Sequence, residues 1–320
     1  AIRGTLEALG GRKRHIITSR VEHPAVRGTC RYLQKQGYRL TELSVDRQGA
    51  MDLGELKAAL TPDTALVSIM WANNETGVIF PMEQIAQLVK ASGAVLHVDA
   101  VQAVGKIPMD MSKIPIDLLS LSGHKLHGPK GIGALYVRKG SKLVPLIMGG
   151  HQENNKRAGT ENVPGIVGLG KACALSQHYM AEEFGRVRKM RDHLQEGLIA
   201  GCTDALLNGG DERLPNTLNL SFEYVEGEAI LLMLDQLGIS ASSGSACASG
   251  SLEPSHVMRA MGVPFTQAHG SIRFSLSRYN KPEEMDYVIE HMPPIIDRLR
   301  EMSPFVGGQA WQGTPIDHSH

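Results

Sequence analysis

From His15 to Val137 the chain alternates short apolar runs with longer segments whose apolar residues recur at helical spacing. The apolar runs predict strands over 15–19, 65–72, 94–100, 118–122 and 131–139. The spaced segments predict helices over 24–36 and 82–93. Strands that are apolar along their whole length need cover on both faces. We therefore predict an α/β fold with a mainly parallel sheet sandwiched by helices.

The second half of the chain begins with a long helical pattern over 164–200. After it, the pattern predicts strands over 216–222, 239–242 and 271–277, and helices over 227–237, 254–261 and 282–301. This order indicates a large domain over 1–180, a smaller C-terminal α/β domain over 181–305 and a tail over 306–320.

Polar side chains follow several of the predicted strands of the first half. Asn74, Asp99, Ser122 and His124 all lie at or just past a predicted strand end. In open parallel sheets, ligands bind at the carboxyl ends of the strands. The sequence therefore predicts a binding site at this edge.

Composition narrows the class of protein. Lys plus Arg and Asp plus Glu both total 33 in 320 residues, which favours neither nucleic acid nor a membrane as a partner. The four cysteines are far apart, which is typical of a reducing cytoplasm rather than a disulfide framework. The closest histidine pairs, at 124/127 and 318/320, lack further ligands at zinc-site spacing, so no metal site is predicted.

One cysteine, Cys247, lies in "SASSGSACASG" (240–250), a run of small residues that is typical of a loop. Two interpretations are open. The segment is either a surface turn with an incidental thiol or a mobile arm that carries a nucleophile.

Two further motifs suit a cofactor that forms a Schiff base. "SGHKLHGPKG" (122–131) places Lys125 in a glycine-flanked loop just after a strand, although most lysines are simply exposed. "HVDAVQAVGK" (97–106) supplies Asp99, which can keep a pyridine nitrogen protonated, and Gln102, which can bond a phenolic oxygen. Taken alone, Asp99 is equally well explained as a helix cap.

His23 precedes Pro24 in "VEHPAV" (21–26), where a histidine more often caps or packs than reacts. "MWANNETG" (70–77) by itself indicates a turn.

Together these motifs resemble a known family. "VEHPAV", "WANNETG", "HVDAVQAVGK", "SGHKLHGPKG", "RAGTEN", "SSGSACASGSLEPSHVMRAMG" and "SIRFSLSRY" follow the order and spacing of the pyridoxal-phosphate cysteine desulfurases. The similarity is greatest to the group with a long cysteine loop and to its nitrogen-fixation, or NifS-type, branch. It implies the aspartate-aminotransferase-like fold of type I and pyridoxal 5'-phosphate as cofactor.

The resemblance assigns a role to each matching residue. Lys125 holds the cofactor covalently, His23 stacks on its ring and moves protons, Asp99 pairs with the pyridine nitrogen and Gln102 contacts the phenolic oxygen. Phosphate binding is assigned to Ser122, His124 and, from the partner subunit, Thr160. The substrate carboxylate is assigned to Asn74 and Arg273, and Asn74 is assigned to cofactor binding as well. Cys247 is the nucleophile that takes the sulfur.

The implied function is conversion of L-cysteine to L-alanine by a homodimer, with sulfur passed as a Cys247 persulfide to an iron–sulfur scaffold protein of the NifU type, in nitrogenase maturation. Alternatives are a selenocysteine lyase or aminotransferase of the same fold, and an inactive chain that serves as a binding scaffold.

The sequence departs from the family at three places, one of which is the C-terminal tail from Gly307 onward, which matches none of the family's motifs. The family's N-terminal segment, which includes a Gly-Thr-Glu turn that binds phosphate, has no counterpart before Ala1, so we expect that the natural beginning lies upstream. Asn154 and Asn155 stand where family members commonly have Arg and Gly.

Overall fold

The main sheet is built from the apolar runs of the first half of the chain. The computed structural model describes residues 1–243 and 254–303. Within these ranges the sheet has six strands in the order β2-β1-β3-β4-β5-β6. The strands are β1 His15–Ser19, β2 Arg39–Leu43, β3 Thr64–Met70, β4 Val95–Asp99, β5 Leu118–Ser122 and β6 Gly133–Val137. Neighbours from β2 to β5 pair in parallel, which confirms the mainly parallel sheet.

Helices cover both faces of this sheet. Both faces need cover because successive side chains of each strand point to opposite sides, and the strands are apolar on both. Every residue of β3 is buried. Leu66 belongs to a core that it shares with α1 (Ile2–Ala8) and α2 (Pro24–Lys35). Its neighbour Val67 belongs to the core shared with α3 (Leu53–Ala59) and α4 (Met82–Ser92). The predicted cover on both faces is therefore confirmed.

The edge strand β6 departs from the parallel pattern, because it pairs antiparallel with β5. The connection between Ser122 and Gly133 contains a short 3-10 turn, Gly123–Leu126, and no crossover helix. A parallel return needs a connection of about a dozen or more residues, usually a helix. Lys125 therefore lies in a hairpin-like connection rather than in a strand-to-helix loop.

The second sheet has four strands, all antiparallel, in the order β7-β8-β10-β9. They are β7 Ala205–Leu207, β8 Thr217–Phe222, β9 Ser242–Ser243 and β10 Ser271–Ser275. The remaining helices are α5 Gln152–Asn155, α6 Val163–Gly201, α7 Gly227–Gln236, α8 His256–Ala260, α9 Phe265–His269 and α10 Pro282–Glu301. The predicted helices of this half are present with bounds that shift by a few residues at most.

The elements that the pattern missed have little apolar signal. The edge strand β2 has the sequence RLTEL, and most of it is exposed or half-buried. The helix α3 is only seven residues long and buries Leu56 alone. A strand or helix that contributes so little to the core shows no clear periodicity of apolar residues in its sequence.

The helix α6 joins the two halves of the molecule. Near its start, Leu169 and Ala172 pack against Leu126 of the 3-10 turn, whereas Leu194 and Leu198 near its end belong to the core of the second sheet. Because α6 runs uninterrupted past residue 180, the domain boundary there stays a prediction. Over the ranges described, no helix combines the length and apolarity that a membrane span needs.

Candidate active site

A cavity of about 1230 Å³ lies beside the carboxyl ends of the central strands. The register aligns Met70 with Asp99 and Asp99 with Ser120, so these strand ends meet at one edge. The predicted site residues that line the cavity are His23, Asn74, Asp99, Gln102, Ser122, His124, Lys125 and Arg273. The structure thus brings together residues that are up to 250 positions apart, whereas their individual roles stay predictions.

The loop of Lys125 is shaped by close backbone approaches. The amide of Gly123 donates to the carbonyl of Ile132 at 2.9 Å, and a Cβ on Gly123 would lie only 2.9 Å from Ile132 Cγ2. His127 ends the 3-10 turn in the left-handed region, at φ 59°. Lys125 itself is half-buried and lines the cavity. Glycine at position 123 therefore allows the loop to fold tightly enough to present this lysine.

Asp99 is the last residue of β4 and accepts a hydrogen bond from the Val101 amide at 3.0 Å. Burial raises the pKa of Asp99, while that hydrogen bond and the nearby His23 act in the opposite direction. A cationic ring nitrogen beside this carboxylate would relieve the cost of burying its charge. Asp99 therefore fits the predicted partner of a protonated pyridine nitrogen.

His23 caps the N-terminus of α2, as the simpler interpretation of the sequence expected. The Ala25 amide donates to its Nδ1 at 3.2 Å, so the neutral ring carries its proton on Nε2. The same half-buried ring also lines the cavity. Capping and proton transfer are therefore compatible, because they use different ring nitrogens.

The loop after β3 is organised by Asn73. Its side-chain oxygen accepts hydrogen bonds from the amides of Glu75 and Thr76 at 2.9 and 3.0 Å. The next residue, Asn74, accepts a hydrogen bond on its carbonyl from Arg273 Nη1 at 2.8 Å. Within the described ranges the buried Nε of Arg273 has no hydrogen-bond partner. A substrate carboxylate would satisfy such a donor, which fits the predicted role of Arg273.

Of the predicted phosphate-binding residues, Ser122 and His124 line the cavity beside Lys125. His124 is exposed, and its pKa is lowered by desolvation and by the cations of Lys125 and Lys130. An anion placed here would meet an excess of positive charge. Thr160 is exposed and does not line the cavity, although its neighbours Gly159 and Glu161 do.

The predicted nucleophile, Cys247, lies outside the described residues. The remaining cysteines are free, and burial raises the pKa of Cys30 to about 12 and that of Cys202 to about 11. Desolvation also raises the pKa of the half-buried Cys173. Because the thiolate is the reactive form, these three thiols are poorly suited to sulfur transfer.

Three buried or half-buried polar groups near the cavity were missed by sequence reasoning. Glu22 is fully buried, which raises its pKa to about 8, and its Oε1 accepts from Ser19 Oγ at 2.7 Å. His97 lies between two serine hydroxyls, and burial lowers its pKa to about 3. Lys106 Nζ donates to Gln102 Oε1 at 2.9 Å. The i,i+4 spacing of the last pair is a sequence signal that could have indicated it.

The two substitutions near residue 154 have a local explanation. Asn154 and Asn155 adopt positive φ values of 54° and 63°. Asparagine is one of the few residues other than glycine that tolerate this region. Asn155 can therefore stand where the family commonly has glycine.

Within the described part of the chain, no group of three His, Cys, Asp or Glu side chains is arranged to hold a metal ion.

Comparison with known proteins agrees with this geometry. The family model of class-V aminotransferases matches residues 1–288. "Cysteine desulfurase 2" of Trichormus variabilis is 60% identical over 93% of this chain and 75% of its own length. "Cysteine desulfurase NifS" of Azotobacter vinelandii is 54% identical over 96% of this chain and 77% of its own length. A solved structure titled "NIFS-LIKE PROTEIN" superposes with a TM-score of 0.87 at 40% identity, over 93% of this chain and 79% of that one.

The family match spans both sheets, and the relatives span nearly the whole chain. The arrangement of Lys125, Asp99 and Gln102 around one cavity fits pyridoxal phosphate, the cofactor on which the cysteine desulfurases of this family depend. The chain therefore belongs to the aminotransferase class-V family of pyridoxal-phosphate enzymes.

Proposed function

We propose that this protein is a cysteine desulfurase that converts L-cysteine to L-alanine and takes up the sulfur as a persulfide on Cys247. The observation that carries the proposal is the cavity in which Asp99 of the main sheet and Lys125 of the loop after β5 meet Arg273 of the second sheet. Relatives named cysteine desulfurase, at 54 to 60% identity, support it.

Several side chains would hold the cofactor. Bound pyridoxal phosphate supplies an electron sink that makes the α-proton of a bound amino acid acidic. Lys125 would hold it covalently, Asp99 would keep its ring nitrogen protonated, and Gln102 would donate to its phenolic oxygen. Its phosphate would be bound by Ser122, His124 and, from the partner subunit, Thr160.

The substrate would be held through its carboxylate. Arg273 offers the buried Nε donor, and its Nη1 bond to the carbonyl of Asn74 fixes the guanidinium against the loop after β3. His23 carries the Nε2 proton and lines the same cavity, which suits proton exchange with the substrate. Lys125, once displaced by the substrate amine, is the second group able to take up the α-proton.

Sulfur transfer then conserves atoms and electrons. The Cys247 thiolate attacks the sulfur of L-cysteine, a new S–S bond forms, and the Cβ–S bond of the substrate breaks. The electron pair of that bond stays on the carbon, which is protonated to yield L-alanine. The small residues around Cys247 suit a loop that reaches the substrate and afterwards an acceptor.

The biological setting is part of the same proposal. We expect a cytoplasmic homodimer that passes persulfide sulfur to an iron–sulfur scaffold protein of the NifU type for nitrogenase maturation. The relative named NifS supports this setting. We also retain the division into a large domain over 1–180, a small domain over 181–305 and a tail over 306–320.

The test is to supply the pyridoxal-phosphate-loaded protein with L-cysteine and to measure alanine, sulfide and the mass of the protein. With an excess of a dithiol reductant, which reduces the persulfide, we expect alanine and sulfide in equal amounts. Without added reductant we expect a mass increase of one sulfur atom on the protein. Cys247→Ala should keep cofactor and substrate binding but lose the transfer, whereas the matched control Cys173→Ala should stay active.

Other results would contradict the proposal in distinct ways. Substantial desulfurase activity in Cys247→Ala would show that Cys247 is not the nucleophile. Transamination of L-cysteine without sulfide would indicate an aminotransferase, and activity restricted to selenocysteine would indicate a selenocysteine lyase. A protein that binds no cofactor at all would favour the scaffold alternative.

A further inference from the structure

A second, smaller cavity lies behind Lys125. It measures about 50 Å³, and its lining includes Lys125, Lys106 and Asn216. Lys125 also lines the main cavity, so it borders both cavities. Gln102 lines the main cavity, and the bond from Lys106 Nζ to Gln102 Oε1 therefore links the small cavity to the large one.

This bond decides which way the amide of Gln102 is turned. An ammonium group has three donors and no acceptor, so it can bind only the oxygen of an amide. The oxygen of Gln102 is thus engaged by Lys106, at 2.9 Å. The Nε2 group, which only donates, is what Gln102 retains for a ligand in the main cavity. Without Lys106 the side-chain amide of Gln102 is free to rotate by 180° and to present its oxygen, rather than its NH₂ group, to a ligand in the main cavity.

Lys106 also lies among like charges. Burial, together with the cations of Lys125 and Arg273, lowers its pKa to about 8. His127 and Arg278 line the same small cavity. Because Coulomb interactions are mutual, an ammonium at Lys106 disfavours a proton on the nitrogen of Lys125.

We propose that Lys106 is a positioning residue, which fixes Gln102 as a hydrogen-bond donor to the phenolic oxygen of the cofactor and disfavours the protonated form of the Lys125 nitrogen. Both effects act through neighbours, since Lys106 lines only the small cavity. The inference rests on the proposed cofactor site and extends it to a residue outside the main cavity.

The experiment follows the visible absorbance of the loaded enzyme against pH, together with the dissociation constant of pyridoxal phosphate. In Lys106→Met we expect the pH midpoint of the absorbance band to rise by about one unit, because a neighbouring positive charge is lost. We expect cofactor binding to weaken by about tenfold, because the amide of Gln102 is no longer held. Lys106→Arg keeps the positive charge and the hydrogen-bond donor, so its absorbance midpoint and its cofactor affinity should stay close to those of the wild type. Lys113→Met, at an exposed lysine, should change neither.

A double-mutant cycle tests whether Lys106 acts through Gln102. Gln102→Leu should weaken cofactor binding to a similar degree, and the double variant should be no weaker than either single variant. If the losses of cofactor affinity in the two single variants added up fully in the double variant, the inference would be overturned. It would also be overturned if Lys106→Met kept the wild-type pH midpoint of the absorbance band and the wild-type affinity for pyridoxal phosphate. If the wild-type protein shows no absorbance band with pyridoxal phosphate, it is the proposed function that fails.

Discussion

At the scale of single residues, burial decides what two neighbouring carboxyl groups can do. Glu22 is fully buried and its pKa is raised to about 8, so at neutral pH it is mostly protonated. Asp99 is half-buried, and its pKa is raised by desolvation but held back by the Val101 amide and by His23. Asp99 is therefore the carboxyl better able to carry the charge that a pyridinium nitrogen requires.

Replacing Glu22 tests this assignment through stability. The native state holds a proton on Glu22 between the ordinary pKa of 4.5 and about 8, so the wild-type protein loses stability as pH rises through that window. Glu22→Gln lacks this proton linkage. At about pH 8 the variant should be more stable than wild type by roughly 4 kcal/mol, and the difference should vanish near pH 4.5.

The measurement is thermal or denaturant unfolding at a series of pH values. The matched control is Glu83→Gln at an exposed position, which should show no such trend. A constant difference between Glu22→Gln and wild type over the whole range would contradict the raised pKa.

A second prediction at this scale concerns Lys125. Lys125→Ala should abolish turnover and remove the absorbance that borohydride abolishes in the wild-type enzyme, because Lys125 is the amine that we propose holds the cofactor covalently. Lys130→Ala, in the same loop but exposed, should retain both. Borohydride-sensitive absorbance in Lys125→Ala would show that another residue holds the cofactor.

At the scale of elements, the start of α8 ties the second half of the chain to the loop after β3. Ser255 caps α8 by accepting a hydrogen bond from the Val257 amide at 3.0 Å. Its hydroxyl donates to Glu75 Oε2 at 2.5 Å, and burial raises the pKa of Glu75 to about 7. The cap thus serves a helix and a buried carboxyl together.

Removing that hydroxyl should cost more than removing an ordinary cap. We expect Ser255→Ala to lower the free energy of unfolding by about 2 to 3 kcal/mol, because the cap and the partner of a buried carboxyl are both lost. Asp52→Ala, which removes the exposed cap of α3, should cost about 1 kcal/mol. Denaturant unfolding compares the two, and equal losses would show that the bond to Glu75 adds nothing.

At the scale of the whole molecule, an apolar surface beside the cavity supports the predicted homodimer. Leu146, Met148 and Val167 are exposed by 65 to 70%, and they flank the segment that contains Thr160. Exposed apolar residues grouped in this way are typical of an interface between protein chains. We expect a second copy to bind here, and the match of "RAGTEN" to the family motif is the reason to expect that its Thr160 serves the neighbouring site.

Charge placed on this surface should break the dimer. Val167→Asp should shift the protein towards monomer in sedimentation velocity and lower its activity together with the dimer fraction. The control, Leu232→Asp, changes a leucine that is 69% exposed on α7 and should leave the dimer intact. An active monomer would contradict the proposal that Thr160 serves the partner's site.

The sequence alone determined five of the six strands of the main sheet and the edge at which the site lies. The largely apolar runs of β3 and β4 specify buried parallel strands, because hydrophobic burial depends on local pattern. The positions of Asp99 and Ser122 at strand ends followed from those strands. The family motifs added the chemistry, which neither apolar period nor composition contains.

Only the tertiary structure decided which distant groups meet and what their burial does to them. Arg273 reaches the carbonyl of Asn74 across 199 positions, and Ser255 reaches Glu75 across 180. The antiparallel direction of β6 and the raised pKa of Glu22 were likewise absent from the pattern. The physical reason is that periodicity records which face of an element is buried, whereas pairing, direction and desolvation depend on the packing of elements far apart in the chain.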